Sequence, residues 1–418
     1  MSTRLADDCF ALPPGVEWTP VDTALARLRD ALSPVTDIEH VALDTAAGCI
    51  LAGPVCAARS NPPAANSAID GYAFAWASLS GGEEASLPLE PGRAAAGHPY
   101  AGRLPEGHAL RILTGAEIPE GADTVVLQED VTLRAGRIRF RPPKSQGANA
   151  RGLGEDAMAG DVVFDAGQRL RPGDLARLAA VGIATVPVYA PLRVGVLSTG
   201  DELIQPGTEG PGVFDANRPM LSALVGEFAH TVVDLGAQPD RVEHIRAALD
   251  RGAAEADAIL TSGGASAGDE DHVARLLRSE GQVSTWRIAV KPGRPLALGL
   301  WKGVPVFGLP GNPVAAFVCA LIFARPALSV LAGSGWLEPR SFLVPAAFSK
   351  RKKPGRREFL RARLDIAGAA EVFHSEGSGL IGGLSWADGL VELPDEAADI
   401  APGQPVRYIP YASFGVRG

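Results

Sequence analysis

The chain has 418 residues, and this length predicts two to four domains. Its hydrophobic content of 46%, with 21% charged residues, is ordinary for a globular protein. The formal net charge of −9 argues against general binding to nucleic acid or to an anionic membrane surface. The four cysteines have no metal-type spacing and the first residues form no secretory signal, so we expect a cytoplasmic protein.

The predicted elements, in chain order, define four parts. Apolar residues at helical spacing between Val21 and Leu32 predict an amphipathic helix at the start. Residues 87–145 contain short, alternating, turn-bounded segments that are typical of a small β-rich domain. From residue 192 to about 333, strands alternate with helices, which predicts a mostly parallel sheet covered on both faces. Residues 336–418 again contain short strands and predict a small barrel or sheet.

These parts predict a multidomain fold of the α/β and β classes. We expect a discontinuous N-terminal α/β domain, a β-rich domain, an α/β ligand-binding domain and a small C-terminal β domain. The predicted limits are, in that order, 16–57 with 151–190, then 58–150, 191–333 and 334–418.

The run "AAFVCALIF" lies in the longest apolar stretch of the chain. We expect this stretch, Val314 to Ala324, to end at Arg325 and to be too short to cross a membrane. We expect Cys319 within it to be a buried thiol.

Three loops that follow predicted strands contain residues suited to an anionic ligand, which in open α/β sheets binds beyond the carboxyl ends of strands. The first loop is "STGDE", with the hydroxyls of Ser198 and Thr199 and the carboxylate of Glu202. It suits a ligand held on backbone amides and a metal held on carboxylates. An N-cap for the next helix explains the same loop equally well.

The second loop is "TSGGASAGDED", at residues 261–271. Gly263 and Gly264 allow close backbone approach to a phosphate, and the start of the following helix favours negative charge. The loop is neither a Walker A nor a GxGxxG motif. Its acids either complement a helix dipole or, beside the glycine pair, hold a divalent cation.

The third loop, "GLPGNPVAAF", starts a helix with Asn312 as its N-cap and Pro313 as its first residue. The preceding "WRIAVKPGRP" brings three cations, Arg287, Lys291 and Arg294, towards the same sheet edge. Together the loops predict a site for a phosphorylated, nucleotide-like or pterin-like anion with magnesium. We find no Ser-His-Asp, Cys-His or zinc spacing and do not expect covalent catalysis.

Eight motifs, in order and over nearly the whole chain, resemble those of the molybdopterin molybdenumtransferases, which include the gephyrin E domain. They are "NSAIDGYA", "LTGAEIPEGADTVVLQED", "GANARGLGED", "LSTGDEL", "DANRPML", "TSGGASAGDED", "WRIAVKPGRP" and "GLPGNPV". The resemblance implies that residues 191–333 hold the pterin. It also implies Mg²⁺-dependent insertion of molybdate into adenylylated molybdopterin, with release of AMP.

The same resemblance implies roles for individual residues. Catalytic roles are implied for Asp70, Thr114, Asp156, Glu202 and Asp257, and magnesium ligation for Glu202 and Asp271. The implied substrate-binding residues are Arg151, Ser198, Thr199, Asn217, Gly263, Gly264, Arg287, Lys291, Arg294, Pro310, Pro313, Arg361 and Ser378.

The resemblance further implies a homodimer in which the loop of Asp70 reaches the α/β domain of the other subunit. A molybdopterin adenylyltransferase and apo-molybdoenzymes are expected as further partners, whereas nucleic acid and membranes are not. The alternative function is a non-catalytic molybdopterin-binding or scaffold protein, although the acids that such a protein would lose are present. The adenylyltransferase reaction itself is disfavoured, because that activity resembles a single α/β domain.

The chain departs from the family pattern at a few positions. Arg287 and Arg294 stand where lysines are usual, and Asp269 where glutamate is usual. Charge is kept, but arginine and lysine differ in reach and geometry. The basic run "SKRKKPGRREFLRAR" suits either nucleic-acid contact or a lip that attracts an anionic substrate. Its single aromatic residue and the acidic chain favour the lip.

Overall fold

The computed structural model describes residues 18–263, 272–293, 295–377 and 379–417, and only the backbone at 282–287 and 295. It contains a central α/β sheet, a β-rich sheet and a C-terminal β sheet, which confirms the predicted fold class. The domain limits given above stay predictions.

The central sheet has six strands and is mixed. The three pairings among its first four strands are parallel, and the last two strands pair antiparallel. The predicted alternation of strands and helices therefore produces a parallel core with an antiparallel edge. In spatial order the strands are Thr231–Gln238, Arg193–Thr199, Ala258–Ser262, Val304–Leu309, Pro295–Trp301 and Gln282–Arg287.

Helices cover both faces of this sheet, as predicted. Ile259 and Leu260 are neighbours in one strand but belong to two different apolar clusters, because successive side chains point to opposite faces. The cluster with Leu260 includes helices Asn217–Glu227 and Pro313–Leu331, and the cluster with Ile259 includes Val242–Glu255 and His272–Ser279.

The apolar stretch forms one helical run, Pro313–Leu331, with a π-helical segment Ala320–Ala324 in its middle. Our expectation that it ends at Arg325 and is too short to cross a membrane is wrong for the helix, which continues to Leu331. The amide of Arg325 donates to the carbonyl of Ala320, five residues earlier, and this wider turn lets Pro326 start a new helical segment without an N–H. Within the described ranges this helix alone is long and apolar enough to cross a membrane, but its apolar window is 100% buried inside the fold.

Two side chains of this helix illustrate how deeply it is buried. Cys319 is 1% exposed, as predicted, and burial raises the pKa of its thiol to about 12. Arg325 is 7% exposed; its Nε donates to the carbonyl of Phe414 over 2.8 Å, and its guanidinium lies 4.6 Å from the ring centre of Phe228. Burial lowers the pKa of Arg325 to about 10. The C-terminal residues are thereby tied to the α/β core.

The N-terminal part begins with the predicted helix, Val21–Ala31, whose residues Val21, Ala24 and Leu28 pack in the same apolar cluster as the long helix. Its other elements form a small separate core with short antiparallel pairings. They are strands Ile38–Ala42, Ile50–Leu51, Val55–Cys56, Val162–Phe164 and Thr185–Tyr189, helix Pro172–Ala180 and the 3-10 turn Leu43–Thr45.

The β-rich part contains the six-stranded sheet expected from its alternating segments. A pair of short strands, Asn66–Ser67 and Ala150–Arg151, lies beside it. The sheet order is Thr124–Leu127, Gly71–Phe74, Ala109–Ile112, Ala85–Ala94, Arg137–Phe140 and Val131–Arg134, and the 3-10 turns are Trp76–Ser78 and Gln128–Asp130.

The C-terminal sheet recruits a short strand from the preceding domain. Val290–Lys291 pairs in parallel with Arg357–Leu364, so Lys291 lies on the C-terminal sheet rather than on the central one. The remaining elements are Phe342–Pro345, Lys350–Lys352, Ala370–Val372, Gly389–Leu393, Ala398–Ile400 and Pro405–Pro410, with helix Gly382–Trp386 and the 3-10 turn Tyr411–Phe414.

Candidate active site

The carboxyl edge of the central sheet brings together hydroxyl groups from two adjacent strands. Ser198 is fully buried; its Oγ donates to Oδ1 of Asp215 over 3.1 Å and lies 3.2 Å from Oγ of Ser262. Oγ1 of Thr199 and Oγ1 of Thr261 are buried and have no hydrogen-bond partner among the described residues. Because an unpartnered buried hydroxyl is costly, we infer that this edge is built for a polar ligand.

The first loop does not cap a helix. Residues 198–202 lead into the short strand Leu203–Ile204, so the alternative interpretation of "STGDE" as an N-cap is wrong. The next helix begins at Asn217.

At Gly263 the second loop passes very close to Thr199 of the first loop. Its φ of +84° is a conformation that favours glycine, and a Cβ at this position would lie 2.5 Å from the carbonyl oxygen of Thr199. Glycine is therefore required here by the contact with the first loop, while its predicted contact with a phosphate stays a prediction.

Asn217 connects the edge to the third loop. Its Nδ2 donates to the carbonyl of Gly311 over 2.7 Å, while its Oδ1 is buried without a partner in the described part of the chain. Asn312 is the predicted N-cap and accepts a hydrogen bond from the amide of Val314 over 3.2 Å. Pro310 is buried and Pro313 is half-buried. This loop is consequently a rigid wall beside the edge.

Carboxylates gather at the same edge, and one of them was missed by the sequence analysis. Asp240 follows strand Thr231–Gln238, and its amide donates to Oδ1 of Asp201 over 3.0 Å. Burial raises the pKa of Asp240, and the nearby charges of Glu202 and Asp201 raise it further. The signal was available, because Asp240 lies just beyond the carboxyl end of a predicted strand.

The carboxylates at this edge are the type of ligand that magnesium prefers. After burial, the charge of Glu202 is the next cause of the raised pKa of Asp240, and a divalent cation between these carboxylates would reduce their repulsion. The predicted ligand Asp271 lies outside the described residues, and the described residues contain no group of three His, Cys, Asp or Glu side chains that could hold a metal.

Asp257 lies apart from the other predicted catalytic residues. It precedes strand Ala258–Ser262 and so lies at the amino edge of the sheet, away from the site. Its carboxylate, 7% exposed, binds Arg193 through Nη2 over 2.7 Å, Nε over 3.2 Å and the backbone amide over 2.8 Å. We assign Asp257 to this structural ion pair rather than to catalysis, because its carboxylate is fully engaged.

Asp70 and Thr114 lie together at one end of the β-rich sheet. The amide and Oγ1 of Thr114 both donate to Oδ1 of Asp70 over 2.7 Å, and these hydrogen bonds hold the pKa of the exposed Asp70 carboxyl below its usual value. Gly71 is needed next to it, since a Cβ there would lie 2.0 Å from the carbonyl oxygen of Val126 in the neighbouring strand. This explains the glycine in "AIDGY".

Arg151 and Asp156 lie near this pair. Strand Ala150–Arg151 pairs with Asn66–Ser67, and the carbonyl of Ser67 accepts from the amide of Gly115, next to Thr114. Nδ2 of Asn61 donates to Oδ2 of Asp156 over 3.1 Å. Asp70 contacts Thr114 directly, while Arg151 and Asp156 belong to segments bonded to residues 61–67; we call these four residues the Asp70 group.

Lys291 lies on a cavity of about 210 Å³ between the C-terminal sheet and the start of the long helix at Val314. Its Nζ donates to Glu376 over 2.6 Å, and Lys350 binds the same carboxylate from the other side. Arg361, also predicted, lines the cavity but is 4% exposed, and its guanidinium donates to the carbonyls of Leu380, Ser375 and Gly377.

Apart from Asp257, the predicted residues that the structure describes thus fall into three groups: the sheet edge, the lysine cavity and the Asp70 group. In the described parts of this one chain, no hydrogen bond or ion pair joins the Asp70 group to the other two. The predicted residues outside the described part are Gly264, Asp271, Arg294, Ser378 and the side chain of Arg287.

Fold and site together define a multidomain α/β protein whose sheet presents unpartnered polar atoms and carboxylates at one edge. Three families match the chain in succession. Residues 19–182 match the "MoeA N-terminal region (domain I and II)", 195–330 the "Probable molybdopterin binding domain" and 344–411 the "MoeA C-terminal region (domain IV)".

Whole-chain comparisons agree. The molybdopterin molybdenumtransferase of Haemophilus influenzae is 36% identical over 94% of this chain and 98% of its own length. Molybdopterin molybdenumtransferase 2 of Mycobacterium tuberculosis is 35% identical over 91% of this chain and 95% of its own. The structure of the molybdopterin biosynthesis MoeA protein from Pyrococcus horikoshii OT3 matches with a TM-score of 0.82 at 29% identity, covering 94% and 100% of the two chains. The chain belongs to the molybdopterin molybdenumtransferase family and is a transferase of molybdenum cofactor biosynthesis.

Proposed function

We propose that the chain inserts molybdate into adenylylated molybdopterin in a Mg²⁺-dependent reaction that releases AMP. The observation that carries the proposal is the position of the wall at residues 310–314. On one side, the carbonyl of Gly311 accepts the hydrogen bond of Asn217 at the sheet edge. On the other side, Val314 lines the lysine cavity. Two anionic ligands bound in these two places share one rigid wall.

The sheet edge suits the phosphorylated pterin. The buried hydroxyls of Thr199 and Thr261 have no described partner and can donate to phosphate oxygens, while the free Oδ1 of Asn217 can accept from a ligand N–H. Gly263 allows a ligand to approach the backbone closely. These groups favour a ligand with both phosphate and amide character.

The lysine cavity suits molybdate. Its walls carry the ammonium groups of Lys291 and Lys350, and its volume of about 210 Å³ accommodates a small tetrahedral oxyanion with water. This placement supports the lip interpretation of the basic run, because Lys350 and Arg361 belong to that run and line the cavity.

The proposed chemistry breaks one phosphoanhydride bond. An oxygen of water attacks the phosphorus of the molybdopterin phosphate, the bond from that phosphorus to the bridging oxygen breaks, and AMP leaves with that oxygen. The two dithiolene sulfurs then replace one oxo group of molybdate, which leaves with two protons as water, so the oxidation state of molybdenum does not change. Repulsion between the two anionic substrates opposes their approach, and Lys291 and Lys350 reduce it. Magnesium on Glu202 and Asp271, when bound, supplies polarisation of the diphosphate.

We also propose that the complete site needs two subunits. The Asp70 group shares no described contact with the sheet edge in one chain, so a homodimer in which it reaches the edge of the partner is the simplest arrangement that unites them. A molybdopterin adenylyltransferase as donor, apo-molybdoenzymes as acceptors and a cytoplasmic location complete the proposal.

The direct experiment is reconstitution with adenylylated molybdopterin, molybdate and Mg²⁺, with AMP release as the readout. We expect release to need both ions and to collapse in Asp271→Asn. If the pterin binds but no condition releases AMP, the alternative function, a non-catalytic binding or scaffold protein, replaces the proposal.

A complementation experiment tests the homodimer. Asp70→Asn and Glu202→Gln are each expected to be inactive, and mixed dimers of the two are expected to recover about a quarter of wild-type activity, since one of the two sites per mixed dimer is intact and half of randomly mixed dimers are mixed. Each variant alone, denatured and renatured in the same way, is the control. No recovery despite exchange of subunits would place the complete site in one chain.

A further inference from the structure

Glu376 occupies the lysine cavity with both of its carboxylate oxygens. Oε2 accepts from Nζ of Lys291 over 2.6 Å, and Oε1 accepts from Nζ of Lys350. One anion with two oxygens therefore already bridges the two ammonium groups that line the cavity. The two ammonium groups that we propose for molybdate are thus already bridged by a carboxylate of the chain itself.

A second carboxylate, Glu358, differs from Glu376 in burial and attachment. Glu358 lies within strand Arg357–Leu364, is 7% exposed, and contacts Lys291 over 3.5 Å and Lys350 over 3.1 Å. Glu376 follows the short strand Ala370–Val372, and its side chain is 45% exposed. Glu358 is thus a fixed counter-ion of the lysines, whereas Glu376 can turn out into solvent.

The net charge around the two lysines changes when Glu376 leaves. With both glutamates in place, the charges of Lys291 and Lys350 are fully balanced. Without Glu376 the remaining three groups, Lys291, Lys350 and Glu358, carry one net positive charge, and each lysine has a free donor for an oxyanion. A tetrahedral dianion offers two oxygens in the same bridging arrangement and twice the charge of the carboxylate.

The backbone around Glu376 stays in place during such an exchange. Arg361 donates to the carbonyls of Ser375 and Gly377, the residues on either side of Glu376, over 2.6 and 3.2 Å. Its guanidinium is 4.8 Å from the ring centre of Phe373, which fixes it further. Only the side chain of Glu376 needs to move.

We propose that Glu376 is a built-in competitor of molybdate, a carboxylate that holds Lys291 and Lys350 in position until the oxyanion displaces it. This inference rests on the proposed function of the lysine cavity. It makes Glu376 a specificity-determining residue, because a monoanion that bridges the lysines less well than Glu376 does not displace it. Partial burial opposes ionisation of Glu376, but the hydrogen bonds from Lys291 and Lys350 outweigh it and lower the pKa of Glu376, so the competitor is charged at neutral pH.

The test is direct binding of molybdate to the purified protein without pterin, by equilibrium dialysis. Glu376→Gln keeps the size of the side chain and removes its charge, so we expect molybdate to bind about tenfold more tightly than to wild type, the scale of two half-exposed ion pairs. Glu376→Ala is measured in the same experiment. It removes the side chain beyond Cβ and leaves no amide in its place, and we expect it also to increase the affinity for molybdate.

Glu371→Gln is the matched control. Glu371 is on the same segment, its side chain is 38% exposed, and it pairs with Arg363 over 3.0 Å rather than with the cavity lysines. We expect its molybdate affinity to equal that of wild type. Equal or weaker binding in both Glu376 variants, with folded protein by circular dichroism, overturns the competitor role.

A further variant distinguishes a cavity that does not bind molybdate from a Glu376 that does not compete with it. If the cavity binds molybdate, Lys291→Gln weakens binding in wild type and in the Glu376→Gln background. If Lys291→Gln leaves affinity unchanged in both, the proposed oxyanion site and the competitor role are overturned together. A loss with Lys291→Gln but no gain with Glu376→Gln overturns only the competitor role.

Discussion

The sheet edge and the Asp70 group place polar side chains in opposite situations. At the sheet edge, buried oxygens of Thr199, Thr261 and Asn217 lack partners in the described part of the chain. In the Asp70 group, an exposed carboxylate already accepts two hydrogen bonds from Thr114. The buried polar atoms of the sheet edge gain hydrogen-bond partners only when a ligand binds. The Asp70 carboxylate already has its hydrogen bonds and needs only to be placed next to the ligand. We infer that binding energy comes from the edge and positioning from the Asp70 group.

The largest expected effect is at the sheet edge. Glu202→Gln removes a proposed magnesium ligand, and we expect AMP release to fall about a thousandfold. We expect the melting temperature to be unchanged or higher, because the charge that raises the pKa of Asp240 is removed. Glu209→Gln, an exposed acid nearby, is the control and should stay within threefold of wild type. Equal losses in the two variants would argue for general electrostatics rather than a ligand.

Gly263→Ala tests how tightly the edge is built. The left-handed φ and the 2.5 Å approach to the Thr199 carbonyl add strain and a clash, so we expect the free energy of unfolding to fall by about 3 kcal/mol in urea titrations. Gly107→Ala in the β-rich part has a φ of +76° but no atom within 4 Å, and should cost about 1 kcal/mol. Similar losses at both positions would show that conformation alone matters.

His230 makes the α/β interior sensitive to acid. Burial, and then the charge of Arg325, lower its pKa from 6.5 to about 3, and neither ring nitrogen has a described partner. Between these pH values the unfolded chain binds more protons, so the free energy of unfolding falls as pH falls, by up to about 1.4 kcal/mol per pH unit. His230→Leu should remove this slope between pH 6 and pH 4, whereas His98→Gln in the β-rich part should keep it. An unchanged slope in His230→Leu would contradict the assignment.

The smallest effect is expected in the Asp70 group. Thr114→Val removes one of the two hydrogen bonds to Asp70, and the backbone amide still donates. The pKa of Asp70 should rise, moving the acid limb of the pH–rate profile to higher pH, while AMP release at pH 7.5 changes less than about fivefold. Thr132→Val, exposed on the same sheet, should leave the profile unchanged. A large loss at pH 7.5 would mean that the Thr114 hydroxyl itself contacts the substrate.

Periodicity was sufficient to predict the parallel strands and the helices of the α/β domain, but not the antiparallel strands Pro295–Trp301 and Gln282–Arg287. Helix Val242–Glu255 and strand Ala258–Ser262 follow from patterns of apolar residues, and parallel strands bring their terminal loops to one edge. The same rule argues against Asp257, which comes before its strand, and in favour of Asp240, which comes after one. The family resemblance, rather than strand direction, was the reason for including Asp257 and omitting Asp240.

Contacts between distant segments could not be predicted in this way. Lys291 and Glu376 are 85 residues apart and meet because a two-residue strand, Val290–Lys291, joins the C-terminal sheet. No periodicity is visible in so short an element. Likewise, the π-helical turn that carries the long helix past Pro326 depends on packing around it rather than on local propensity.

The hydrogen bond from Arg325 to the carbonyl of Phe414 bears on how a cell makes this protein. The two residues are 89 positions apart, so the ribosome finishes the long helix well before Phe414 emerges. Until then the guanidinium lacks this partner and the apolar cluster lacks Tyr411 and Phe414. The α/β core therefore reaches its final packing late in synthesis, and a chain truncated before Phe414 is a substrate for chaperones and proteases rather than a smaller enzyme.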